Sequence, residues 1–139
     1  MESSVFPNNS LSDLIGKPFH AVLYLDSDSL TTTGDAYLFR VIDDVPVTLE
    51  PMNSYVDSTP DFSWLSFEAK FSFTFSLKIV HLSTSGFATV VKSISGINCD
   101  STTYALTDSL IPGNYFWTIS VGDILGNIAL SKEAGFIVE

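Results

Sequence analysis

Few residues in this chain have both the type and the spacing to do chemistry, and the carboxylates come first. Asp26 and Asp28 stand in the run Asp-Ser-Asp-Ser, Asp43 and Asp44 precede Val45-Pro46, and Asp123 opens the run Asp-Ile-Leu-Gly-Asn. Hard oxygen ligands gathered in turns suit calcium, which is the alternative to be weighed. Asp26-Ser-Asp-Ser lacks the glycine and the distal glutamate of an EF-hand loop, and aspartates are common in turns because they hydrogen-bond their own backbone. Solvated turn acids are therefore the expected reading, with no metal ligand and no cofactor assigned and calcium kept as the minority alternative.

The other reactive side chains are scattered. His20 and His81 fall in or beside strands, with no second His or Cys at metal-ligand spacing, which points to surface or edge histidines rather than zinc. Cys99, in Ile97-Asn-Cys-Asp, has no catalytic context and reads as a half-buried thiol. No Gly-x-Ser-x-Gly elbow accompanies the many serines, and no glycine-rich phosphate loop is present. The expectation is a protein that is not an enzyme, without catalytic residues. Tyr24, Tyr37, Tyr55 and Phe116 form one further group: three of them on one sheet face would suggest carbohydrate stacking, whereas Trp64 and Trp117 lie on the apolar phase of their strands and read as core.

These residues must be positioned by strands. Phe19 to Leu25 and Tyr37 to Ile42 read as a hairpin with a long polar tip, Asp26 to Asp35. Asp43-Asp44-Val45-Pro46 is the candidate linker. Val47 to Glu50 and Asp61 to Leu65 are short strands, the second turning Phe62 and Trp64 inward. Phe71, Phe73, Phe75, Leu77 and Ile79 alternate with Ser72, Thr74, Ser76 and Lys78, so that one face is core and the other solvent. Phe87 to Ile94 and Thr102 to Leu106 follow. Leu110-Ile-Pro-Gly then leads into Tyr115, Trp117, Ile119 and Val121, which alternate with Phe116, Thr118 and Ser120. Gly135 to Val138 closes the chain. About seven short strands from Val47 onward, with polar turns and no helical period, predict an all-β antiparallel sandwich preceded by an extra β-hairpin.

Composition narrows the function classes. The chain has 139 residues, 45% of them hydrophobic and 11 of them Phe, which is enough for one well-buried domain. A net charge of -10, with only 6 Lys and Arg, disfavours nucleic acid and anionic membrane surfaces. A single cysteine allows no intrachain disulfide. Met-Glu-Ser-Ser-Val-Phe-Pro does not read as a signal peptide, and no apolar window is long enough to insert in a membrane, so an export signal is expected upstream of this chain. Asn8-Asn9-Ser10 has the form of a glycosylation acceptor.

The order Leu110-x-Pro-Gly-x-Tyr115-x-Trp117-x-Ile119, preceded by Tyr104-x-Leu106 and followed by Asp123-x-x-Gly126-Asn127 and Phe136-x-Val138, resembles the second half of a fibronectin type III-like domain of the bacterial extracellular kind. Thr59-Pro60-x-Phe62-x-Trp64 and Phe75-x-Leu77-x-Ile79 resemble its opening strands, and the match covers 47–139. The turn before Tyr115 is a residue shorter than is common in that family, a Phe stands where its third strand usually has Tyr, and the Arg-Gly-Asp tripeptide of some members is absent. The resemblance implies a tyrosine corner at Tyr115, its hydroxyl bonding backbone near Leu110, and Trp64 and Trp117 between the sheets. Residues 1–46 then look like an arm and the last hairpin of a preceding sandwich, or strands that complete this domain or a neighbouring one. The implied function is a spacer or adhesion module of a larger extracellular or cell-surface protein. Its expected partners are neighbouring domains of the same protein, with other proteins or carbohydrate as the alternative, and neither nucleic acid nor membrane.

Overall fold

The computed structural model describes residues 14–19, 22–24, 30–32 and 34–139, and the chain divides into two compact units, Met1–Asp43 and Asp44–Glu139. In the first unit, β1 (Pro18–Phe19) pairs antiparallel with β4 (Ala36–Tyr37), and β2 (Val22–Tyr24) pairs with β3 (Leu30–Thr32). This corrects the expected hairpin in two places. The polar tip contains a strand, because Leu30-Thr-Thr is β-branched enough to continue the ladder. The returning strand stops at Tyr37, so Phe39 to Ile42 lie outside it, with Phe39 exposed.

The second unit is all strand: β5 (Thr48–Glu50), β6 (Ser54–Val56), β7 (Asp61–Trp64), β8 (Phe73–Leu82), β9 (Ala88–Ile97), β10 (Thr103–Ala105), β11 (Gly113–Asp123), β12 (Ile128–Leu130) and β13 (Ala134–Val138). One sheet has the order β10-β7-β5. The other runs β6-β13-β11-β8-β9, with β12 on β11, and is antiparallel except for the parallel pair β13 and β6. Together they make an immunoglobulin-like sandwich. Nine segments form seven strands, because β5 and β6 are one opening strand that changes sheets at 51–53, and β12 and β13 are one closing strand interrupted at Ser131. At that interruption the side chain replaces the ladder: the Ile119 N–H donates to Ser131 Oγ at 3.0 Å while the Ser131 N–H reaches the Ile119 carbonyl at 2.9 Å.

The period of two decides the core. Phe75, Leu77 and Ile79 of β8 face Val121, Ile119 and Trp117 of β11 in register, and all six are fully buried. The smaller sheet closes over them with Phe62 and Trp64: Phe62 meets Trp117 edge-on at 5.0 Å between ring centroids, and Trp64 meets Phe75 at 5.4 Å. Such T-shaped contacts place a ring's positive edge on its neighbour's negative face. β8 begins at Phe73, so Phe71 lies before the strand, half-buried beside Phe73.

Leu110-Ile-Pro-Gly is a crossing between sheets rather than a hairpin turn, since β10 pairs with β7 and β11 pairs with β8. Gly113 lets the chain land closely here: a Cβ would lie 2.8 Å from His81 Nε2, so a larger residue would have to displace that imidazole. The Tyr115 hydroxyl donates to the Ile111 carbonyl at 2.8 Å and fastens this crossing. The outer edge strand β9 carries two register shifts against β8, which twist its free backbone groups away from continuous pairing.

Register also places the ends. Thr48 of β5 lies opposite Trp64, at the pole formed by the 65–72, 98–102 and Asp123–Asn127 connections; Val138 of β13 lies opposite Gly113, at the other pole with the 83–87 and 106–112 connections. The unit's first strand therefore enters at one pole and its last strand leaves at the opposite one.

Candidate functional site

Among the described residues, those singled out for chemistry do not converge. Asp26, Asp28, His20 and Asn8 lie outside the described residues, and so does the side chain of Tyr24. Asp43 and Asp44 are exposed. Asp123 is turned onto its own hairpin: Oδ1 accepts from the backbone N–H of Leu125 at 2.9 Å and of Asn127 at 3.0 Å, and Oδ2 accepts from Asn127 Nδ2 at 2.9 Å. Its oxygens are engaged in shaping the turn, in which Gly126 takes a φ of 85°. Among the described residues no group of three or more His, Cys, Asp or Glu could hold a metal ion.

His81 points with the inner phase of β8 and packs its ring 4.9 Å from that of Tyr115. Cys99 is exposed rather than half-buried, because it sits in a turn closed by Asn98, whose side-chain oxygen accepts from the Asp100 N–H at 2.9 Å. Its Sγ lies 3.9 Å from Asp100 Oδ1. Burial of Tyr115 raises its pKa above the ordinary 10.0, against an opposing contribution from its hydrogen bond to Ile111.

The aromatic group divides. Trp64 and Trp117 are core, as their phase implies. Tyr37 is exposed in the first unit. In the second unit, Tyr55 and Phe116 share the outer face of the larger sheet, Tyr55 exposed and Phe116 half-buried. Among the described residues, three aromatics of this group are not assembled on one face.

What sequence reasoning missed is apolar surface. At the entry pole, the hairpin tip between β11 and β12 presents Ile124, 91% exposed, with Leu125 and Ile128 beside it. The same pole carries Phe67, Phe71 and Phe73 in an open cleft of about 790 Å³ that Glu68, Lys70 and Asp100 also line. Phe67 and Phe73 meet edge-on at 5.4 Å. The signal was available, since Asp-Ile-Leu-Gly-Asn places two large aliphatics where a hairpin turn ordinarily carries polar residues.

No protein-family model matches the chain, and no curated protein matches it in sequence. Among solved structures, it is similar to CopC from Methylosinus trichosporium OB3b, with a TM-score of 0.43 and 15% identity over 68% of this chain and 93% of that one. Among the described residues no helix is long and apolar enough to cross a membrane.

Proposed function

We propose that the chain is a non-catalytic structural and interaction module, fibronectin type III-like in kind, that serves as a spacer or adhesion unit in a larger extracellular or cell-surface protein. The observation that carries this reading is the entry of β5 and the exit of β13 at opposite poles of the sandwich. Modules with that geometry join end to end without doubling back, and each adds its length to the array. The parallel pair of β6 and β13 lies across the same path. Tension applied through the two ends pulls these strands in opposite directions along their length, so their hydrogen bonds are loaded together rather than one at a time. The apolar entry pole supplies a surface for a neighbouring domain.

Force spectroscopy on the full chain, held at residues 44 and 139, tests this. Val56→Pro removes a backbone donor within β6 and is expected to lower the unfolding force, whereas Thr103→Pro in β10, which is off the path, lowers it less. Equal loss in both variants, or none in Val56→Pro, counts against the spacer reading. A membrane-impermeant label on intact cells tests location: labelling only after lysis would sink the extracellular assignment.

A further inference from the structure

The outer face of the larger sheet bears a second feature, separate from the apolar pole and independent of the spacer reading. Tyr55 of β6, Ile137 of β13, Asn114 of β11 and Leu82 of β8 are cross-strand neighbours in one row. The row floors an open groove of about 700 Å³ that continues over Gly135 and up to the 83–87 turn. That volume is in the range of small-ligand sites. Gly135 contributes no side chain, and a Cβ there would meet nothing closer than the Tyr115 carbonyl at 3.8 Å.

Its lining is chemically distinctive. Among the described residues no charged side chain borders the groove, although the chain carries 16 Asp and Glu against 6 Lys and Arg. The polar side chains there include the amides of Asn53 and Asn114 and the hydroxyls of Ser54, Ser83 and Thr84, and the ring of Tyr55 stands 68% exposed beside them. An anion would meet the repulsion of the acidic chain with no cation to receive it, and a cation would find no carboxylate in the groove. A purely apolar ligand would strip water from the amides without replacing their hydrogen bonds. A neutral polyhydroxylated ring fits both halves: its C–H face lies on Tyr55, and its hydroxyls pair with amide N–H and C=O groups that can both donate and accept.

The site is also held in shape by the core. The Asn53 N–H donates to the Gly135 carbonyl at 2.6 Å, with Asn53 at a φ of 51°, a conformation asparagine tolerates. Two residues earlier the Pro51 carbonyl is fastened by the Trp117 indole. The strand bearing Tyr55 is thereby ordered before any ligand arrives, which removes part of the entropic cost of binding.

We infer that this groove is a binding site for a neutral saccharide. Affinity electrophoresis of the full chain in native gels containing a soluble β-glucan, xylan, galactomannan or α-glucan tests it, with polygalacturonate as the charged comparison. At least one neutral polysaccharide is expected to retard the protein. Tyr55→Ala should weaken that retardation at least tenfold while leaving the melting temperature unchanged, because the ring is exposed; Tyr55→Phe should retain most of it, and Asn114→Ala should lose several-fold. Absence of retardation by all four neutral polymers, undiminished binding by Tyr55→Ala, or equal binding to polygalacturonate overturns the inference. None of those outcomes bears on the pulling experiment, so the two readings fail separately.

Discussion

The two tryptophans offer a controlled comparison. Trp64 and Trp117 are both essentially fully buried and both meet a phenylalanine edge-on, yet their indole N–H groups differ. Trp117 Nε1 donates to the carbonyl of buried Pro51 at 2.8 Å, whereas Trp64 Nε1 is buried without a partner among the described residues. Replacing either by Phe removes one fused ring and leaves a hole of a few tens of Å³, worth about 1 kcal/mol at ~24 cal/mol per Å³. For Trp117 the same change strands the Pro51 carbonyl, adding about 1–3 kcal/mol for a buried acceptor without a donor. For Trp64 it removes a donor that was already unsatisfied, so a comparable desolvation cost is recovered. Trp117→Phe should therefore cost about 3 kcal/mol and Trp64→Phe about zero. Against a total stability of about 5–15 kcal/mol that difference is large. Urea unfolding followed by far-ultraviolet circular dichroism reads it: with a slope of about 2 kcal/mol per molar, the two midpoints should differ by roughly 1.5 M. Equal costs, or a larger cost at Trp64, would refute the assignment of the difference to the hydrogen bond. Trp117→Ala, which removes the whole side chain, should cost about 3–5 kcal/mol or more and leave the sandwich marginal.

Three further expectations rest on single polar groups. Ser131→Ala leaves the buried Ile119 N–H without its acceptor and should cost about 1–3 kcal/mol in the same urea assay, with Ser131→Thr retaining part of the loss. Tyr115→Phe removes the bond to Ile111 for about 1 kcal/mol. Because the folded-state pKa of Tyr115 is raised, its contribution is complete below pH 10 and is lost as pH rises through the higher folded value. The wild type should accordingly lose stability in alkali by a component that is missing in Tyr115→Phe. Asp123→Ala should destabilise the β11–β12 hairpin by about 1–2 kcal/mol, with Asp123→Asn recovering most of it, since Oδ1 receives two of the backbone bonds. Calcium and a chelator should give identical melting curves; a calcium-dependent rise that Asp123→Asn abolishes would reopen the ion reading.

The strands that hold the core were legible because their signal is local. Alternation at Phe75, Leu77 and Ile79, and again at Tyr115, Trp117, Ile119 and Val121, assigns a buried face without reference to any partner. The shorter strands were less so. Three residues at Ser54–Val56 carry too little alternation to say which way Tyr55 points, and the phase was resolved only by the parallel pairing with β13. The exposed aliphatics at Ile124 and Leu125 were visible as letters, but their meaning depended on the turn projecting beyond the sheet.

From the sequence by itself follow the all-β class and most of the inward set of side chains, properties of residues near one another along the chain. Pairing came from the tertiary structure alone: β10 with β7 instead of β11, the acceptor for Trp117 at a residue 66 positions earlier, the serine that completes the ladder at Ile119, and the uncharged groove assembled from four separate strands. Hydrophobic burial is set by a two-residue period that any strand carries with it. The partner of a buried polar group, or the company of an exposed one, is set by which strands meet, and that leaves no period to read.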